Sequence, residues 1–313
     1  MALYFVSMIV YNSGCRYGIC VPKKGLTIIM KKVIAMAIAA IMTLLFISGC
    51  SKNAEYIVLD EALADEKYGI GFRKADQALR DEVQKTLVEM KKDGTLAEIT
   101  KEWFDEDIST VPDTFTPTET SDGSLEKIKE KGELILGLDA SFPPMGYEDD
   151  KGEIIGYDID LAKEVCKRMG VDLKLQPIIW AQNVTELNDG NIDCIWNGMT
   201  INDERAEKMN LSEPYMNNRQ VVVTLKGSGI AKLDDLEGKS VVLQAGSTAV
   251  EALDSRTDIK SKIKGGKAVE VNNNVIAMYD LRKGSSDAVV MDEIVARYYT
   301  SHLNELEQEV SED

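Results

Sequence analysis

Arg205 lies just after the turn Gly198-Met199-Thr200, and its planar guanidinium can hold a carboxylate through two parallel N–H bonds. The alternative role is a surface arginine in an acidic helix. Gly246-Ser247-Thr248 joins a strand to a helix, so its free backbone N–H groups can form an anion site, although such glycine turns are also used as plain structure. Asp292 ends one strand and opens a helix, and Asp139 ends another strand. Either could be an N-cap, or could face a ligand, because open α/β sheets bind at the carboxyl ends of their parallel strands. Phe142, Trp180 and Trp196 offer aromatic surface for a pocket wall, with Trp196 the best suited to a core. The single histidine, His302, lies at the end of the last helix, and no nucleophile-base set accompanies it, so the chain reads as a binder and not an enzyme.

These residues hang on regularly alternating elements. Tyr56 to Asp60 and Tyr68 to Phe72 predict short strands. Asp76 caps a helix with Leu79, Val83, Leu87 and Met90 on its apolar face, Gly94 ends it, and Thr95 to Glu98 reads as a capping box opening a second helix. Pro112 to Gly123 has the composition of a linker. Strands follow at Glu133 to Leu138, Asp172 to Gln176, Ile192 to Trp196, Gln220 to Leu225, Ser240 to Leu243, Ala268 to Val271 and Asp287 to Met291, with helices between, one of them capped by Asp158. Alternation with short joints predicts an α/β fold of parallel sheets covered by helices, in two runs that meet near residue 219.

Charge divides the chain unevenly. Residues 1–49 carry five bases and no acid, which leaves 53 acids against 31 bases in the remaining 264 residues, a net charge of −22. That surplus argues against nucleic acid or anionic lipid as a surface partner. Lys31 and Lys32 precede a 16-residue apolar run, short of the ~20 residues that span a bilayer, and Ile47-Ser48-Gly49-Cys50 follows. This leader resembles the lipobox of bacterial lipoproteins, which implies lipidation of Cys50. Met30-Lys31-Lys32 already looks like a complete signal start, so residues 1–29 read as an upstream extension. Cys166 and Cys194 could pair, but spacing does not establish it.

Gly156-Tyr157-Asp158-Ile159-Asp160-Leu161-Ala162, then Gly170-Val171, Gly198-Met199-Thr200 with Asp203-Glu204-Arg205, and Glu213-Pro214-Tyr215 resemble the bacterial extracellular solute-binding proteins, family three. Gln244 to Thr248 and Asp287 to Asp292 extend the resemblance. It implies a two-lobed type II periplasmic-binding-protein fold, with two mixed, mostly parallel sheets joined by a two-crossing hinge. It also implies a lipid-anchored extracellular receptor that closes on a polar L-amino acid and delivers it to an ABC permease, as a monomer without cofactor or metal. A zwitterion offers a carboxylate for Arg205, Gly246, Ser247 and Thr248, and an ammonium for Asp292. Asp139 and Gln244 would read the side chain, Phe142 and Trp180 would wall it, and Asn197, Gly198 and Thr200 would complete the site. A dehydratase of cyclic amino acids or a sensory module are the alternative functions on this fold.

The order of parts departs from the family. Tyr68 to Lys74 and the helices ending in Trp103-Phe104 resemble its closing segment, yet they come first here, as in a circular permutation. The resulting division is 53–66 with 220–313 as the second lobe, 67–111 with 124–215 as the first, and 112–123 as a tether joining the usual termini. Hinge candidates are Asp65 to Tyr68 and Tyr215 to Arg219.

Overall fold

A computed structural model describes residues 54–312, so the leader and Cys50 lie outside the described residues. The described chain begins with β1 (Tyr56–Phe72), α1 (Gln77–Asp93), α2 (Thr95–Phe104) and α3 (Ser124–Lys131). Tyr56, Leu59 and Leu63 of β1 pack in the second lobe, and Tyr68, Ile70 and Phe72 in the first, which goes on through β2 (Glu133–Leu138), the short strands β3 (Ser141–Phe142), β4 (Gly146–Glu148) and β5 (Ile154–Ile155), and α4 (Tyr157–Met169). It ends with β6 (Asp172–Pro177), α5 (Asn183–Asn188), β7 (Cys194–Thr200), α6 (Asp203–Lys208) and β8 (Asn210–Leu211). β9 (Met216–Leu225) crosses to the second lobe, made of β10 (Val241–Gln244), α7 (Thr248–Ser255), α8 (Thr257–Lys260), β11 (Val269–Val271), α9 (Asn274–Lys283), β12 (Ala288–Asp292) and α10 (Glu293–Glu312).

The main sheet runs β11-β10-β12-β9-β1-β7-β2-β6, and every pairing in it that excludes β1 and β9 is parallel. β1 and β9 pair antiparallel from Tyr56 opposite Leu225 to Tyr68 opposite Met216, stitching the two lobe sheets together. In the second lobe the strands are apolar on both faces because helices cover both: Val221, Val242 and Val289 pack on one side, Val222, Leu243 and Val290 on the other. The first lobe has its own core, in which Leu79, Val83, Leu87 and Met90 of α1 meet Leu134, Leu136 and Val165. Each of these fully buried side chains contributes about 2 kcal/mol of apolar burial.

Several local expectations are corrected. Residues 61–67 are not a break between two strands but the middle of β1; Glu, Ala, Asp and Lys carry little strand propensity, and pairing with β9 overrides it. Asp76 makes no side-chain cap bond to α1 and instead pairs with Arg73 at 2.6 Å. Thr95 does not form a capping box, because α2 starts directly after α1 and the Asp93 carboxylate accepts from Thr95 N and Oγ1. Asp158 does not cap α4; it lies inside the first turn and its carboxylate is buried. The stretch 112–123 has no regular structure, yet it is tied along α1. Arg80 lies over Phe115 at 5.1 Å, Thr118 N donates to Asp81, and Asp122 accepts from Ala78 N. Cys166 and Cys194 are free, buried thiols.

Candidate functional site

Arg205 stands in the first turn of α6, which Asn202 caps by accepting from Arg205 N at 2.8 Å. The guanidinium turns back under β7, where Nη1 donates to Thr200 O at 2.8 Å and Nη2 points to Gly246 O of the other lobe at 3.5 Å. It lies over the Trp180 ring at 5.9 Å. Among the described residues no carboxylate forms an ion pair with it, and burial pushes its pKa down, against the pull of Glu66 and Asp292. A buried cation bonded only to neutral carbonyls is costly unless an anion joins it. Facing it, the turn Gly246-Ser247 leads into α7; Ser247 N donates to Gln244 O and Val250 N to Ser247 O, both at 3.3 Å, which leaves the Thr248 and Ala249 N–H groups of the first turn without an intrahelical acceptor.

Two glycines fix this geometry. Gly198 has φ +58°, and a Cβ there would sit 2.7 Å from the Phe142 ring. Its N–H donates to Asp158, which also accepts from the Tyr215 hydroxyl; burial lifts the Asp158 carboxyl to about 7. Gly246 has φ +73°, and a Cβ there would meet Ala181 Cα of the opposite lobe at 2.7 Å. The lobes therefore close backbone against backbone at this point.

Asp292, at the carboxyl end of β12, is the opposite pole. Its Oδ1 accepts from the Tyr68 hydroxyl and from Asn218 Nδ2, both at 2.7 Å. Burial, then the negative charge of Glu66, raise its pKa to about 7. At the third corner Asp139 Oδ2 accepts from Gln244 Nε2 across the cleft at 2.7 Å, while its Oδ1 takes Ser141 N and Oγ. Thr248 Oγ1 donates to Thr200 Oγ1 at 3.2 Å, and Asn202 Nδ2 to Glu251 at 2.6 Å, so the two lobes are bonded directly to each other.

Phe142, Trp180, Gly198, Thr200, Arg205, Gln244, Ser247, Thr248 and Asp292 line one cavity of about 10 Å³ between the lobes. Three residues expected there stand back from it. Asp139 reaches it through Gln244, and Gly246 through its carbonyl toward Arg205. Asn197 is 1% exposed and braces Asp139 by accepting its backbone N–H at 3.0 Å. Trp196 is fully buried in the first-lobe core. Sequence reasoning missed Glu66, Tyr68, Asn218 and Gln220, whose side chains gather at the Asp292 end. Their spacing of two along β1 and along β9 was the available signal.

The cleft residues fall within stretches that a known family matches. The family model for bacterial extracellular solute-binding proteins, family 3, matches residues 7–106 and 134–309. The chain belongs to that family. It is 32% identical over 177 residues to the L-cystine-binding protein TcyJ of Escherichia coli K12, a match covering 56% of this chain and 64% of that protein, just under two thirds of its length. It is 30% identical to the arginine-binding extracellular protein ArtP of Bacillus subtilis over 60% of this chain and 72% of the relative. A Streptococcus pneumoniae ABC uptake transporter substrate binding protein, solved with bound histidine, superposes with a TM-score of 0.57 at 35% identity, covering 58% of this chain and 75% of that one. The family member thus has the type II periplasmic-binding-protein fold, and its relatives are amino acid-binding proteins.

Proposed function

We propose that the chain is a lipid-anchored extracellular receptor that captures a polar L-amino acid between its lobes and delivers it to an ABC permease. One observation carries this reading: Arg205, without an acidic partner among the described residues, and Asp292, surrounded by donors, line one small cavity from opposite lobes. A zwitterion supplies the missing anion to Arg205 and a cation to Asp292, and only the closed arrangement offers both at once. The cavity is about the size of one water molecule, so an amino acid enters only when β1 and β9 let the lobes part. Ligand contacts from both lobes then favour the shut state.

Asp139 with Gln244 reads the side chain, and Phe142 and Trp180 flank it. The order of parts fits a circular permutation in which the ordered stretch 112–123 joins the usual termini. Lipidation at Cys50 would hold the second lobe near the membrane, since Tyr56 follows within a few residues.

Thermal-shift screening of purified residues 51–313 against the twenty L-amino acids and L-cystine tests the reading. At least one polar amino acid raises the melting temperature, and Arg205→Ala removes the shift. A screen in which none stabilises the protein, or turnover of prephenate or arogenate, would overturn it.

A further inference from the structure

Strand alternation puts Glu66 and Tyr68 of β1 on one sheet face; Glu66 lies directly opposite Asn218 of β9 and diagonal to Gln220, Tyr68 lies opposite Met216 and diagonal to Asn218, and Gln220 in turn pairs with Asp292 of β12. Glu66 Oε2 accepts from Thr200 Oγ1 at 2.9 Å and from Asn218 Nδ2 and Gln220 Nε2 at 3.0 Å each. The bonds form a directed chain. Gln220 Nε2 reaches Thr248 Oγ1 at 3.4 Å, Thr248 donates to Thr200, and Thr200 donates to Glu66. A hydroxyl has one proton. With the Thr200 proton held by Glu66, its oxygen can only accept from whatever enters the cleft. The two hydrogens of Asn218 Nδ2 are likewise turned to Glu66 and Asp292, and among the described residues the buried amide oxygens Asn218 Oδ1 and Gln220 Oε1 have no donor.

We propose that Glu66, carried on the hinge strand, is a positioning residue of the ligand site: it fixes the polarity of this relay so that Thr200 accepts from the ligand's ammonium beside Asp292. Its carboxylate adds a second negative charge behind Thr200, which favours the same cation. Glutamine at this position could donate through Nε2, letting the relay run backwards and turning the Thr200 hydroxyl proton toward the ammonium. The inference rests on the amino-acid-binding reading above.

Calorimetric titration of wild type and Glu66→Gln with matched pairs separates the two: L-arginine and 5-guanidinopentanoate, L-lysine and 6-aminohexanoate, L-glutamine and 4-carbamoylbutanoate. Each second compound lacks only the α-ammonium, so the affinity ratio within a pair cancels any loss of folded protein. In Glu66→Gln that ratio falls about tenfold or more from its wild-type value, as for loss of a charge-assisted bond. Glu66→Asp restores part of it, and Glu66→Gln placed on Thr200→Val adds little further loss. An unchanged ratio in Glu66→Gln overturns the role of Glu66 while leaving amino acid binding intact. Failure of wild type to bind any of the three amino acids, with none found in the full screen, overturns both readings.

Discussion

Two buried aspartates, Asp158 beneath the Gly198 turn and Asp292 at the end of β12, share most of their local chemistry. Each accepts a tyrosine hydroxyl, from Tyr215 at 2.9 Å and from Tyr68 at 2.7 Å, and those two rings lie 6.3 Å apart. Burial is the main reason both carboxyls titrate at about 7. Their surroundings differ. The second partner of Asp158 is a fixed backbone N–H in the first-lobe core, whereas Asp292 lines a cavity that also holds Arg205 and has Glu66 behind it. A raised pKa therefore reports burial in both, and the space a carboxyl faces decides whether it can serve a ligand.

Alanine at each position breaks the pair apart most sharply. Asp292→Ala is expected to weaken amino acid binding about 100-fold or more, the penalty for a buried ammonium left without its counter-charge, with a smaller loss of urea-unfolding stability than Asp158→Ala, because water in the adjoining cavity can replace the carboxylate at the Tyr68 hydroxyl and Asn218 Nδ2. Asp158→Ala should do the reverse. At pH 6, where its carboxyl is largely neutral, removal leaves the Gly198 N–H and the Tyr215 hydroxyl unpaired beside a small void, and stability falls by about 3 kcal/mol. If Asp158→Ala abolishes binding in a protein of unchanged stability, the distinction fails.

Titration sharpens the same comparison. A carboxyl raised to about 7 in the fold is protonated in the native state, while the unfolded chain has released that proton above the ordinary carboxylate range. The native state then binds more protons, so this group's contribution to stability is greatest in acid and declines as pH rises toward 7. Asp158→Asn should flatten that decline by a few kcal/mol, because one pKa unit is worth about 1.4 kcal/mol. Asp292 adds a second signature, because an ammonium needs its ionised form. Wild-type affinity should rise from pH 5 to 7 and level off above it, a trend measured by titration calorimetry and absent from Asp292→Asn.

The lobes' cores and most of the cleft were legible in the sequence because they rest on short-range signals. The α1 face, the strand-end position of Asp292 and the glycine turns all follow from spacing within a few residues. The interior of β1 was not legible, since Glu61 to Lys67 carry no strand signal and are held extended by β9, distant in the chain. Glu66 was lost with it. Asn197 is absent from the cavity lining for a related reason: strand alternation shows which residues share a face, but not that the Asn197 amide oxygen is taken up by the Asp139 backbone N–H. Asp158 looked like a helix cap because its partners, Gly198 and Tyr215, are 40 and 57 residues away.

Closure itself can be graded at two points along the cleft. Gly246→Val places a branched side chain where even a Cβ would lie 2.7 Å from Ala181 Cα, and it forces a φ of +73° on a β-branched residue. The lobes can then no longer meet, and affinity should drop about tenfold or more, mainly through faster release. Small-angle scattering with saturating ligand should show that variant staying more open than wild type. At the rim, Asn202 also caps α6, so Glu251→Ala is the cleaner probe of the 2.6 Å bond between them. Glu251 is exposed, and water replaces the lost partner on both sides. The expected loss is under about 1 kcal/mol, a few-fold in affinity, as for an exposed hydrogen bond. An effect as large as that of Gly246→Val would mean that polar ties at the rim, and not the close backbone approach at Gly246, hold the cleft shut.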